Sequence, residues 1–433
     1  MQFVMTAFAG LLLRCSLPLI LLCPLSLSLF PLPAWSLTVE EAVSLAEAHL
    51  PSYAAALSEV RSEEELYKAS LGAYLPSLDT TTTQERHDID GQSFNLSTYD
   101  VTLSYTLFDG GQRRANREIA RMNRDISREE AYRNLLDLRF NVKSAFYTAI
   151  ARREIRDERR IQRDNSLKDH EVAQGRHRLG AARLSEVLQA SVRLEQARFN
   201  LVQSEGDLVN AMSDLNSLLG RPLGSHYDLQ GTLDFPTSPI DSGALREAAL
   251  RRPEIRQSED QIVISKSNRS LETSAFFPVV SASASYNKTE SGGLAESSED
   301  DRSVSLVATW NIFELGKFYR RRAADFDIRV SEENLREVIR GILLAVQKAH
   351  EDYLTASRNI QVSDESVRQA TQNYEQAFGE YKVGKGDILS LVQAESALAN
   401  AREQLITSKL NHALAKAFLE RSAGVDHIEA LAH

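Results

Sequence analysis

Apolar positions along the chain follow two different periods. Residues 112 to about 178 contain no proline, have only Gly175 near their end, and are rich in Arg, Glu, Ala and Leu. This predicts one uninterrupted helix. At 1.5 Å per residue its roughly 67 residues span on the order of 100 Å, far more than a compact domain can hold. Residues 317–382 read the same way. After Gly180 and Gly384 the chain turns into second helices over 181–219 and 385–423. In the first of these Val187, Ala190, Leu194, Ala197, Leu201, Ser204, Leu208, Ala211, Leu215 and Leu218 recur at alternating spacings of three and four. That is a heptad seam in which large residues oppose small ones, as in an antiparallel coiled-coil hairpin.

Residues 76–108 and 278–313 alternate with period two and are rich in Thr, Ser, Tyr and Val, predicting two β-hairpins. Val304, Leu306, Ala308, Trp310 and Ile312 share one face, and Ser303, Ser305, Thr309 and Asn311 the other. Val101, Leu103, Tyr105 and Leu107 form a matching apolar stripe. Leu78 to Arg86, mostly Thr and polar residues, is the weakest strand signal. The connections His87 to Ser97 and Lys288 to Arg302 are polar, the second holding Glu299, Asp300 and Asp301, and read as solvated loops. Phe108, Phe276, Phe277, Trp310, Phe313, Phe318 and Tyr319 gather at the opposite end, as an interfacial aromatic girdle would.

The whole pattern is written twice. Leu45, Ala46 and Pro51 recur around Ala248, Ala249 and Pro253; Ala73 and Pro76 recur as Ala275 and Pro278; Phe108, Asp109, Gly110 and Gly111 recur as Phe313, Glu314, Leu315 and Gly316. The repeats are 37–241, with a linker at 221–241, and 242–433. Each returning helix is about half as long as its partner. Residues 243–275 are expected to complete the path of 181–219, and residues 38–75 that of 385–423, with Arg221 to Ser242 and the C-terminal tail as a belt at the joint.

Composition narrows the function. Among 433 residues, 25% are charged and 42% hydrophobic. Beyond the N-terminus no stretch reaches the roughly 18 to 20 apolar residues of a transmembrane helix. Phe8 to Trp35 is nearly uncharged, with Arg14 early, so residues 1–36 are expected to be a secretory signal cleaved after Ser36. Pro18, Pro24, Pro31 and Pro33 argue against a membrane anchor. Leu22 before Cys23 argues against lipidation there. Both cysteines lie in this segment, leaving the remainder without disulfides or thiolate metal ligands. The formal charge of −10 argues against a nucleic-acid partner. His170 and His177 lack the spacing of a zinc site, and there is neither a nucleophile elbow nor a phosphate-binding glycine loop. No catalytic, cofactor-binding or metal-binding residue is therefore assigned. Four strands cannot close a barrel, yet an open edge cannot face hydrocarbon. If they span a membrane, several chains must share one barrel, in the outer membrane of a Gram-negative cell. A periplasmic adaptor or structural coiled-coil protein is the alternative; an adaptor would carry one hairpin flanked by small β domains, not two alternating with strand pairs.

Leu37-Thr38-Val39-Glu40-Glu41-Ala42, Ala73-Tyr74-Leu75-Pro76-Ser77, Phe108-Asp109-Gly110-Gly111 and the Gly180 and Gly384 turns together resemble the TolC-like outer-membrane efflux proteins. The resemblance implies a mainly α fold with β: long antiparallel coiled-coil helical hairpins forming a trimeric α-barrel, and four strands per protomer contributing to a 12-stranded transmembrane β-barrel in outer-membrane lipid. It implies a homotrimeric passive conduit of a tripartite efflux or type I secretion system, driven by an inner-membrane transporter. A periplasmic adaptor would meet Leu179, Gly180, Val383 and Gly384. By position, the gate tyrosine of the family falls on Tyr381. The family's two acidic gate positions fall on Ser390 and Gln393, and on Glu186 and Gln189 in the first copy. Hydrogen bonds near a threefold axis from Tyr381, Ser390 and Gln393, rather than rings of carboxylates, are the expectation for the closed state.

Overall fold

In the computed structural model, which describes residues 36–89, 92–235, 240–292 and 297–428, the elements run β1 (Ser36–Leu37), α1 (Val39–His49), α2 (Pro51–Ala69), β2 (Ser77–Ile89), β3 (Gln92–Phe108), α3 (Gln112–Arg178), α4 (Leu184–Leu218), β4 (Asp228–Leu229), α5 (Ser242–Ala249), α6 (Pro253–Ser274), β5 (Val279–Gly292), β6 (Ser297–Thr309), α7 (Leu315–Lys382) and α8 (Ile388–Ala423). The expected signal lies outside the described residues up to residue 35. Ser36, its last residue, already pairs with Asp228 in a short parallel ladder that the alternation pattern does not reveal.

The landmarks of the repeat act as chain breaks. Pro51 and Pro253 each open a helix, after Leu50 and Arg252 in extended conformation, because a residue preceding proline is driven out of the helical region. Thr38 starts α1 through a capping box: its hydroxyl accepts from the Glu41 amide at 3.2 Å, and the Glu41 carboxylate accepts from the Thr38 amide at 2.9 Å. At the strand-to-helix corner Asp109 accepts from the amides of Gly111 and Arg113 at 3.0 and 2.9 Å. Gly110 has φ +66°, and a Cβ there would lie 2.7 Å from the Ser274 carbonyl oxygen, so only glycine fits. Arg113 donates to the carbonyls of Ala73 and Thr106, and the buried Lys317 to those of Ala275 and Asn311. Ala73 and Ala275 are repeat equivalents, so each copy ties its helix entry to its strand exit with a cation.

The strands form one antiparallel sheet in the order β2-β3-β5-β6. Its register segregates chemistry by face. Asp79, Thr102, Ser285 and Ser303 stand opposite one another, as do Ser77, Ser104, Ser283 and Ser305. The alternate rows are Leu78, Leu103, Ala284 and Val304, then Tyr105, Ala282 and Leu306. Ser283 and Ser305 hydrogen bond at 2.8 Å, and Ser285 and Ser303 at 2.7 Å. The weak Thr-rich segment is a full strand.

Three expectations need correction. The loops are shorter than the polar segments: pairing continues through His87 and Phe94 to Ile89 and Gln92, and through Lys288 and Asp300 to Ser291 and Ser297. Ladder hydrogen bonds come from the backbone, which polar side chains do not interrupt. A register shift between Thr106 and Phe108 puts Phe108 opposite Val280, taking Leu107 out of the stripe. Finally, the half-length helices pair differently from expectation. Along α3, α2 and α6 flank the upper part, through Arg117 to Tyr67 and Gln257 to Glu130. The lower part is flanked by α4 and by α8, the latter through Ser166 and Glu395. The start of α6 meets the end of α8, where Arg252 donates to the Ser422 carbonyl at 3.0 Å. Gly220, just past α4, approaches His49 ahead of α2. Thus α8 continues into the line of α6, and α4 into that of α2, the reverse of the expected pairing. Length matching cannot distinguish these, since α4 and α8, at 35 and 36 residues, leave the same gap to fill.

The heptad seam of α4 is as expected: Ala190, Leu194, Ala197, Ser204, Ala211 and Leu215 are buried, and the other four seam positions half-buried. Cores gather where the helices break. One centres on Phe146, Ile150 and Leu215 and takes in Leu229 and Leu233 of the linker. The other surrounds Tyr353 and Leu419 and takes in Ile428 of the tail. Leu229 and Leu233 of the linker and Ile428 of the tail thus pack into the cores at the joint.

Candidate functional site at the hairpin turns

Both long hairpins end in the same local structure. Leu179 and Val383 cap α3 and α7, and Gly180 and Gly384 follow with φ +70° and +79°. The amide of Ala181 donates to the Arg176 carbonyl at 2.8 Å, and that of Gly180 to His177 at 2.9 Å. The second copy repeats this from Lys385 to Glu380 and from Gly384 to Tyr381. These paired bonds are the Schellman motif, which requires a left-handed residue where glycine stands. Leu179 is 86% exposed and Val383 69%. Two large apolar side chains are thus presented to solvent at the turns; Gly180 has open space around it, while a Cβ on Gly384 would lie 3.9 Å from the Arg176 guanidinium.

The expected gate residues separate into two environments. Ser390 and Gln393 are exposed, as is Gln189; Glu186 is half-buried. Ser390 sits in the first turn of α8, where its amide donates to Asp387 at 2.7 Å and so holds that carboxyl below its usual range. Glu186 caps α4 by accepting from the Arg183 amide at 3.2 Å. Tyr381, by contrast, is fully buried within the protomer. It does not share a surface with Ser390 and Gln393. Its ring lies under the Arg176 guanidinium, 4.4 Å from Cζ to centroid, and Arg176 donates to its carbonyl at 2.6 Å. Burial, then the charges of Glu186 and Asp169, push the phenol up from its ordinary value, against the pull of Arg176. The hydroxyl lies toward the Glu186 carboxylate without meeting it, or any other described residue, in hydrogen-bond geometry.

Arg176 was not singled out from the sequence, although a cation in the last turn of a helix answers the dipole there. A second group was also missed, about three turns from the Gly180 turn: Ser166 and Asp169 on α3, Glu395 on α8 and Tyr374 on α7. Ser166, Asp169 and Ala173 recur at spacings of three and four and are all buried. That small polar stripe inside a highly charged helix was the available signal. Around it Val172 packs with Tyr374, Phe378 and Val392 beneath Tyr381 and Leu391. Among the described residues no cluster of three or more His, Cys, Asp or Glu could hold a metal ion, and no helix is long and apolar enough to cross a membrane.

Comparison with known proteins gives the arrangement its context. The toluene efflux pump outer membrane protein TtgF of Pseudomonas putida is 23% identical over 385 residues, covering 84% of this chain and 78% of its own. The pyoverdine export outer membrane protein OpmQ of Pseudomonas aeruginosa is 23% identical over 355 residues, covering 80% and 72%. The crystal structure of the outer membrane protein VceC from Vibrio cholerae superposes with a TM-score of 0.76 at 16% identity, covering 89% of this chain and 96% of that one. The family described as outer membrane efflux protein matches residues 42–221 and 244–425, both copies of the repeat. With both copies matched across nearly all the described residues, the chain belongs to the outer membrane efflux protein family.

Proposed function

We propose that three copies of this chain form one outer-membrane conduit, open to the exterior through a shared β-barrel and closed at the hairpin turns until a periplasmic adaptor engages them. The observation that carries this reading is the sheet. Among the described residues its edge strands β2 and β6 have no outer neighbour in the protomer, and one face is apolar through Leu78, Leu103, Val304 and Leu306. Hydrocarbon tolerates such a sheet only when every edge is paired, and cyclic symmetry pairs β6 of one copy with β2 of the next. A second apolar stripe on α4, with Phe199, Val202 and Val209 all more than 60% exposed, runs opposite the internal seam and fits a neighbouring copy.

The conduit performs no chemical step. Energy comes from an inner-membrane transporter, and relatives of equal identity named for toluene and pyoverdine fit a cargo chosen by that transporter. Closure has two layers. Within each protomer Arg176 clamps Tyr381 and ties the first hairpin to the second. Between protomers the exposed Ser390, Gln393 and Gln189, with Glu186 beside them, provide hydrogen-bonding contacts near the axis.

The adaptor reading is tested by replacing Leu179 and Val383 together with Asp. Both are exposed, so folding and trimer yield in detergent extracts should match wild type to within about 0.5 kcal/mol per site. Capture of the adaptor by crosslinking at the turns should fall at least tenfold, as for loss of an apolar anchor. Undiminished capture would mean that the adaptor docks elsewhere. A soluble periplasmic monomer would refute the conduit.

A further inference from the structure

The group formed by Asp169, Glu395, Ser166 and Tyr374 interrupts the apolar packing of the seam, which on the side of the turn continues through Ala173, Leu391 and Ala394, all buried. Asp169 is 5% exposed and Glu395 6%. Ser166 donates its hydroxyl to Glu395 at 2.5 Å. Asp169 Oδ1 is buried with no hydrogen-bond partner among the described residues. Two carboxyl groups thus sit at the contact of the first hairpin with the second, one satisfied and one not, about 16 Å from the turn by helix rise. Buried carboxylates that interact cannot both ionise without driving their surroundings apart, and a proton bound by one of them removes the conflict.

We propose that the Asp169–Glu395 pair is a proton-operated latch on the seam between the two hairpins: protonated, it holds the turn end closed, and deprotonated, it favours opening. The inference rests on the reading of the turns as the closable end of the conduit.

The groups facing the pair are not arranged to neutralise two negative charges. On α3, Lys168 partly offsets the charge on Asp169, and His170 pairs with Gln174 at 2.8 Å. On α4, Arg193 partly offsets Glu395, while Glu186 lies toward Tyr381. On α7, Tyr374 is pushed up by burial and by both carboxylates, and Tyr381 also senses Asp169. On α8, Arg402 acts on Tyr374 and is itself paired with Glu158 at 3.1 Å. Burial first, then Glu395, push Asp169 up to about 7. Burial also raises Glu395, against its bond from Ser166. The closed packing therefore binds an extra proton relative to an exposed Asp. Its stability is full below the ordinary carboxylate range and is lost as pH rises through about 7.

The experiment is single-channel recording of the full trimer in planar bilayers from pH 5.5 to 8.5, for wild type, Asp169→Asn and Glu395→Gln. Wild type should show open probability rising about tenfold between roughly pH 6 and 8, one decade for each pH unit over which one proton is lost. Asp169→Asn, which keeps the shape and cannot ionise, should stay closed with a flat profile. Glu395→Gln should move the midpoint to lower pH, since the charge that raises Asp169 is gone. A wild-type profile in Asp169→Asn overturns the latch while leaving the conduit intact. Absence of conductance in every form at every pH overturns the conduit and the latch with it. Should Asp169→Asn yield no trimer, the Glu395→Gln midpoint decides: an unshifted midpoint overturns the proposal.

Discussion

Arginine at position 306 should remove the trimer from the outer membrane, while arginine at 305 is tolerated. Leu306 lies on the apolar face midway between Trp310 and Arg302, in the row with Tyr105 and Ala282, and is 68% exposed on the isolated protomer. On the bilayer midplane an arginine costs about 2–4 kcal/mol. Threefold symmetry repeats the cost, giving about 6–12 kcal/mol per trimer, comparable to the whole stability of an ordinary domain. Ser305 points to the opposite face, among Ser77, Ser104 and Ser283. Arginine there meets water and forfeits only the hydrogen bond to Ser283, about 1 kcal/mol. The measurement is the yield of heat-resistant oligomer from outer-membrane fractions. Leu306→Arg should lose nearly all of it and Ser305→Arg little. The reverse ranking would place the polar face toward lipid and reject the barrel.

How far these positions could be read from sequence depended on whether the physics was local. Period-two alternation placed Leu306 and Ser305 on opposite faces because side chains must alternate along any strand. The α4 seam was legible for the same reason: alternate steps of three and four leave one stripe, and that stripe is buried. The glycine turns and the proline breaks were legible because few residues can take their place. What could not be read was contact between distant segments. The lengths of 38–75 and 243–275 fit either lower helix, and only packing along α3 assigns α2 to α4 and α6 to α8. The Thr106–Phe108 register shift depends on how the strand meets β5, which no single-strand pattern encodes. Tyr381 was singled out by resemblance, yet its environment was not. Arg176 lies far away in sequence, and nothing near Tyr381 announces a cation above its ring.

That environment predicts which part of Tyr381 matters. If Arg176 ties the hairpins together, it acts on the ring face and on the main-chain carbonyl, while the tyrosine hydroxyl takes no hydrogen bond. Removing the guanidinium forfeits a charge-assisted bond of about 1.5–3 kcal/mol and a partly desolvated cation–π contact of about 1–2 kcal/mol. Even about 3 kcal/mol of this, specific to the closed state, shifts the open-to-closed ratio on the order of 100-fold. Arg176→Ala should therefore conduct in bilayers without an adaptor, whereas Arg178→Ala, exposed at the same helix end, should remain closed. Tyr381→Phe keeps both the ring and the carbonyl, so it should behave as wild type; Tyr381→Ala loses the ring and should open partially. If Tyr381→Phe opens as fully as Arg176→Ala, the end is held by the hydroxyl and the nearby Glu186 carboxylate, and the guanidinium clamp is rejected.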